Sequence, residues 1–529
     1  MTSSANAITY TNAKVFTGSG PEDFVSAFTI EDGVFTWTGE SEDVTATDAV
    51  DLGGATVLPG LLDVHTHPIF MATLADSMTL LQPEVTSLES MLDALRRHPD
   101  LGAGPQAWVM GFGYNEAKYP DGAPDRHALD RVSTEQPVFA RRADGHTAVC
   151  NTFALDLAGI TRDTPDPAGG RIVRDASGEP TGVLEETSAV DLVYRVKPAP
   201  DSAEIARRLA GLSEHFLEFG LVAVDDLYGN FVDEPLAVTR AAVDQGYRPQ
   251  SSVFLVWGHD ALPALTDADR TGQARVGGSQ GVPGRGLQQP HRLGRMRLPR
   301  LRGPRDHHDH RRGVAQRRGL GAGERRADGR ARHGRPRDQP PDRPLRRRGA
   351  VARGPPLDPV RPLDPVHPRH DARVIEARMR FGVISHSVFF YAEYDSYETS
   401  LGEEQFAIAY PLRTMYENLP DVAIASDSPA TAWADCDNPF ISVMAAVCRR
   451  AYNGADINQA EAISVGQALE LYTGRAARIT GNRGVGLVAP GYEGNFVVLD
   501  RDVFTIEEST IDQTRVMRTY LRGELAFSR

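Results

Sequence analysis

The segment ATVLPGLLDVHTHP, residues 55–68, decides how the rest of the chain is read. Its apolar run closes on His65-x-His67. Residues i and i+2 of a strand face the same side, so both imidazoles project from the strand's end. Two imidazoles converging at the C-terminal mouth of a parallel strand make half a metal site. His-x-His alone is a weak signal, since most paired histidines are surface or satisfied core residues. The Pro-Gly-x-x-Asp lead-in at the close of an apolar strand is what favours ligation here.

Working outward, further apolar runs follow: GLVAVDDL (220–227), SSVFLVWG (251–258), FGVISHSVFF (381–390) and VAIASDS (422–428). They alternate with amphipathic helical stretches such as AEIARRLAGLSEHFLEF (203–219) and VGQALELYTGRAARITG (465–481). Apolar strands alternating with helices indicate an α/β protein with a parallel sheet, and the length favours closure as a (β/α)8 TIM-like barrel. The ends read differently. ITYTNAKVFTG (8–18) and FVSAFTIEDGVFTWTGE (24–40) are short strands, with Asp32-Gly33 as a hairpin turn. GNFVVLD (494–500) and VMRTYLRGELAF (516–527) answer them. A small β-sandwich built from both termini, 1–58 and 485–529, is therefore expected beside a barrel over 59–484 that carries an insertion at about 70–200.

The 529 residues exceed one ordinary domain. A net charge of -14 argues against a general nucleic-acid or membrane-surface role. The three cysteines, Cys150, Cys436 and Cys448, are widely spaced and lack a C-x-x-C pattern, which suggests neither a disulfide framework nor a Cys-based zinc site. With no signal-peptide pattern and no apolar run long enough to span a membrane, a soluble cytoplasmic protein is expected.

Residues 270–372 break the composition rules of the rest. They hold 26 Arg, 16 Gly and 14 Pro, with no Phe, Tyr, Trp, Ile, Asn, Cys or Lys. Nine acidic residues leave this stretch at +17, so the remainder carries -31. It is not expected to fold natively. Arg-rich tails that contact RNA or phosphates usually sit at termini or linkers, whereas this one interrupts an enzyme-like chain. A GC-rich gene read one base out of frame yields Arg, Gly, Pro, Ala and His. Dropping one base permits Lys at Gln280 and, from Arg330 to Asp338, Val-His-Ala-Met-Gly-Asp-Arg-Ala-Ile. By the same logic His307, His308 and His310 are shifted codons and not a ligand cluster.

A second anchor is ASDSP (425–429), where Asp427 ends an apolar strand. A lone strand-end Asp is commonly a helix N-cap, and catalysis is the alternative. Taken with NAKVFTG (12–18), VLPGLLDVHTHP (57–68), RADGHTAVCN (142–151), AGITRDTPDPAGGRIVRDASGEPTGVLEET (158–187) and GVGLVAPGYEGNFVVLD (484–500), the chain resembles the amidohydrolase superfamily. It is most similar to the amidohydrolase-3 branch that includes N-substituted formamide deformylases. The resemblance implies that His65 and His67 are first-strand metal ligands, and that Asp427 is the last-strand ligand and general base. It also implies a Lys or other carboxylate-bearing residue on a middle strand and two further His. The shifted frame permits the first at Gln280 and one His at Ala331.

The chemistry implied is hydrolysis of a non-peptide C–N bond, amide or formamide, in a small molecule. A divalent cation, Zn²⁺ from the imidazole and carboxylate ligands, with one or two ions bound, would activate water. Asp427 would take the water's proton and hand it to the departing nitrogen. His146 in DGH and Tyr114 in GFGYNE are candidate substrate contacts; a structural hydrogen bond and aromatic packing explain them equally well. Glu186 reads as structural at a helix start, and Asp226 as a residue that orients a ligand. The expected partner is the small-molecule amide, with neither nucleic acid nor membrane, and homo-oligomerisation is compatible. Two other readings stand beside this one: a disrupted, inactive copy whose barrel lacks strands, and an Arg-rich nucleic-acid-binding protein.

Overall fold

The computed structural model describes residues 7–227, 229, 232–256, 266–280, 382–401, 406, 408–482 and 484–529. The two chain ends meet in one mixed sheet of eight strands. Ile8–Phe16 pairs in parallel with Val50–Pro59, which pairs antiparallel with Phe496–Leu499. The Asp32-Gly33 turn forms as expected: both residues have positive φ, 51° and 81°, which the right-handed twist of a two-residue hairpin requires. Strand alternation gives this sheet two buried faces. Phe496 and Val498 join Tyr10, Phe28, Phe35 and Tyr520 in one cluster, while Val497 and Leu499 join the main core with Leu58 and Val516. The Phe496 and Tyr520 rings stack at 4.2 Å.

A second sheet occupies the expected insertion. Its six strands run in the order Arg171–Arg174, Pro180–Glu185, Thr147–Cys150, Val138–Arg142, Val109–Tyr114 and Ser77–Thr79. Apolar clusters cover both its faces. Val109, Val138, Ala140 and Val149 pack on one, and Met110, Phe139, Ala148 and Cys150 on the other.

The His-x-His strand, Leu61–Thr66, is the edge of a parallel sheet that continues through Leu221–Asp226, Ser251–Val256 and Ala274–Gln280. A separate parallel pair joins Val383–Ser385 to Val422–Ile424. The helix Ser202–Glu218 packs its Ile205, Leu209 and Phe216 into the main core. These two strand groups together contribute six parallel strands to an α/β fold. No helix among the described residues is long and apolar enough to cross a membrane.

Three expectations need correction. Residues 274–280 fall inside the stretch not expected to fold, yet they form a strand: its hydrogen bonds are made by backbone, Ala274 and Val276 are buried, and Gly277 and Gly278 sit against the Phe254 ring. Residues 381–390 are not one strand, because the chain turns at His386 and continues as the helix Ser387–Ala392. Residues 465–481 are two helices, Val465–Glu470 and Gly474–Ile479. The break frees the Tyr472 carbonyl to accept from the Leu62 amide at 2.8 Å, tying the helical layer to the His-x-His strand. Ala331, His307, His308 and His310, with the Arg-rich stretch from 281 onward, lie outside the described residues.

Candidate metal centre

The strand Leu61–Thr66 is buried along its whole length, and its end delivers His65 and His67 to one point. The segment after Val422–Ile424 delivers Asp427 to the same point. Nε2 of His67 lies 2.8 Å and Nε2 of His65 3.2 Å from Oδ1 of Asp427. All three ligand atoms fall within 4.8 Å of one another.

Backbone bonds, not the side chains alone, hold the two segments together. The Asp427 amide donates to the His65 carbonyl and the His67 amide to the Ser428 carbonyl, each at 2.8 Å. The Thr66 hydroxyl donates to the Ser428 carbonyl at 2.9 Å. Asp427 itself has φ 56°, a left-handed conformation that costs a non-glycine residue energy and is kept where surrounding contacts impose it. Here it turns the carboxylate back toward the histidines.

The electrostatics follow from burial. Burial alone would raise the Asp427 carboxyl, but hydrogen bonds and charge from His65 and His67 outweigh it and hold the group well below the usual carboxylate range. Burial pushes the His67 imidazole down, and the Asp427 carboxylate, with Asp226 and Asp63 behind it, reverses this and raises it. The pocket therefore stabilises positive charge beside a carboxylate. Two imidazole nitrogens and one carboxylate oxygen form the donor set that a divalent cation such as Zn²⁺ takes, with three protein ligands leaving a position for water and substrate.

Three residues around the triad brace it. Asp63 shares the strand face of His65, being two residues before it; its Oδ1 accepts from the His65 amide at 3.2 Å and the Ser426 amide at 3.4 Å. Burial, against those hydrogen bonds, pushes its carboxyl up to about 7. Asp226, expected to orient a ligand, caps the first turn of the next helix by accepting from the Ile69 amide at 3.0 Å, two residues beyond His67. His386 stands with its ring 4.7 Å from that of His65, nearly perpendicular, while its Nδ1 lies 3.1 Å from the Ala425 carbonyl. Burial, then the charge on His65, lowers its pKa to about 4, so its ring is neutral at pH 7.

The other candidates sit elsewhere. Tyr114 packs in an apolar cluster of the insertion sheet with Met91, Leu129 and Val149. His146 lies in the turn after Arg142, its amide held by Asp144 at 2.8 Å. Glu186 precedes the helix Thr187–Tyr194. None of the three is in the ligand cluster. His386 was not singled out from sequence, although the signal existed: like His65 and His67, it closes an apolar run.

The model of the amidohydrolase family matches residues 48–286 and 353–527. YtcJ of Bacillus subtilis, assigned to the amidohydrolases, is 27% identical over 96% of this chain and 97% of its own length. The N-substituted formamide deformylase of Arthrobacter pascens is 25% identical over 98% of both chains. Among solved structures, an uncharacterized metal-dependent hydrolase from Pyrococcus horikoshii OT3 superposes with a TM-score of 0.59 at 16% identity, covering 95% of this chain and 99% of that one. That likeness shows the shared fold.

Proposed function

Because the chain belongs to the amidohydrolase family, and so hydrolyses carbon–nitrogen bonds other than peptide bonds, we propose that its substrates are small amides or formamides and that it works with a divalent cation held by His65, His67 and Asp427. The observation that carries this reading is the convergence of those three ligand atoms within 4.8 Å. The six parallel strands are read with it as part of a (β/α)8 barrel whose strand ends form the mouth of the site.

When bound, such an ion lowers the pKa of water toward neutrality and polarises a carbonyl. The chain's own residues do the rest. His65 presents Nε2 from a fully buried strand and His67 from the residue just past its end, at the start of the helix Pro68–Thr73, which limits their relative movement. The Asp427 carboxylate is ionised at neutral pH, as a proton acceptor must be, so it takes the proton of the attacking water and returns it to the departing nitrogen. The balance is one water consumed, one C–N bond broken, and a carboxylic acid and an amine released. Asp226 and Asp63 hold the backbone on either side of the histidines and limit drift of the ligand positions.

The test is metal analysis of the purified chain followed by an amine-release screen over N-formyl and N-acyl amides after loading with Zn²⁺. Stoichiometric binding and turnover that both vanish on Asp427→Asn are expected. Turnover that persists after complete chelation would overturn the reading.

A further inference from the structure

Arg141 and Arg142 are adjacent in the insertion strand Val138–Arg142 and point to opposite faces. Arg142 is fully committed, its Nε 2.8 Å from Glu116 and its Nη1 2.8 Å from Asp144. Arg141 is the more deeply buried of the two, at 8% exposure, yet among the described residues its side chain makes no hydrogen bond or ion pair. Its Nε is buried with no acceptor. The guanidinium lies over two aromatic rings, 5.0 Å from the centroid of Tyr194 and 5.9 Å from that of Phe70. A guanidinium keeps its charge in proteins, its burial is costly, and Asp191 and Asp144 offset that cost only through space, without a hydrogen bond. Cation–π contact recovers only part of that cost and uses none of the five N–H donors.

The position of this arginine is informative. Phe70 belongs to the helix Pro68–Thr73 that starts directly after His67, and its ring packs against Phe112, the register partner of Arg141 on the adjacent strand. Ala143, two residues beyond Arg141, packs with Leu81 and Ala432, the latter five residues past Asp427. The Ala434 amide donates to the Gln82 carbonyl at 2.7 Å. The end of the Arg141 strand therefore rests against both segments that carry the ligand triad.

We propose that Arg141 binds an anionic group of the substrate, and that the amides this site cleaves carry a carboxylate near the scissile bond, as N-formyl and N-acyl amino acids do. This rests on the hydrolase reading above. A planar fork of donors with flat aromatic walls matches the two coplanar oxygens of a carboxylate. A neutral amide would leave the guanidinium unpaired, so the same residue both attracts acidic substrates and rejects neutral ones.

The experiment compares N-formylalanine with N-formylethylamine, which differ by one carboxylate, on the full chain loaded with Zn²⁺. The wild type is expected to prefer the acid in kcat/KM by about tenfold or more. Arg141→Met is expected to collapse that ratio through KM, and Arg141→Lys to keep part of it. A purely structural clamp between Phe70 and Tyr194 would change thermal stability in both variants and leave the ratio alone. Equal turnover of the two amides by wild type, or an unchanged ratio in the variants, overturns the proposal. If neither amide is hydrolysed, the hydrolase reading fails separately, and calorimetric titration of the same two compounds decides about Arg141. Binding of the acid alone, weakened in Arg141→Lys and lost in Arg141→Met, upholds it; equal binding or none to wild type overturns it. Should Arg141→Met not fold, the wild-type comparison and Arg141→Lys carry the test.

Discussion

The Asp427 amide donates to the His65 carbonyl at 2.8 Å, and Oδ1 of the same aspartate lies 3.2 Å from His65 Nε2. Backbone and side chain thus join the same two residues, from opposite ends of the sequence. A site pinned in this way keeps its ligand positions when one side chain is removed, which makes single substitutions informative about chemistry.

His65→Ala is expected to leave the fold intact and to remove the metal. Elemental analysis after dialysis should show the loss, and kcat/KM should fall by roughly a hundredfold or more, the consequence of losing several kcal/mol of transition-state stabilisation. Full metal content in the variant would show that the ligand assignment is wrong.

A second ion pair sets a pH limit on stability. His215, on the helix Ser202–Glu218, lies 2.7 Å from Asp437, which is 4% exposed and sits on the segment linking Asp427 to the helix Pro439–Cys448. Burial would lower the imidazole's pKa, but Asp437, with Asp435 and Glu218 nearby, raises it to about 9. A folded-state pKa above the ordinary 6.5 contributes stability that is complete below about pH 6.5 and lost as pH rises through about 9. Thermal melts of wild type and His215→Gln should differ most at pH 6 and converge toward pH 10. A gap of constant size would contradict the assignment.

Gly466 is buried in the helix Val465–Glu470, and a Cβ there would run into the Pro21 carbonyl of the N-terminal segment. Backbone cannot rotate away as a side chain can. Gly466→Ala should therefore destabilise the protein by about 1–3 kcal/mol, the usual penalty of overpacking, despite alanine's better helix propensity. Chemical denaturation measures it, and a stabilised variant would show that this contact yields freely.

Sequencing the gene between the codons for Asp260 and Arg380 is expected to show a single-base departure that restores an apolar reading of the Arg-rich stretch. An intact frame, together with an intact mass of 57.6 kDa for the native protein, would refute this.

Much of this protein was legible in its sequence because strand patterns repeat every two residues and act locally. Alternation placed His65 and His67 on one side of one strand end, and the Asp-Gly pair fixed the hairpin between Ala27–Glu31 and Val34–Gly39. Family motifs singled out Asp427. The helix break at 471–473 was not legible, since it depends on the Tyr472 carbonyl accepting from the Leu62 amide of a strand four hundred residues earlier. Nor was the strand Ala274–Gln280, because its pairing draws on backbone atoms that every residue supplies.

By itself the sequence determined the kind of chemistry: two imidazoles and a carboxylate at strand ends. Only the tertiary structure decided what surrounds them. His386 comes to His65 because two parallel strand groups close on the same point, and Arg141 is left without an ionic partner because it faces Phe70 and Tyr194 while Arg142 faces Glu116 and Asp144. Periodicity says which side a residue faces; the desolvation and charge that give it a role come from whatever folds against that side.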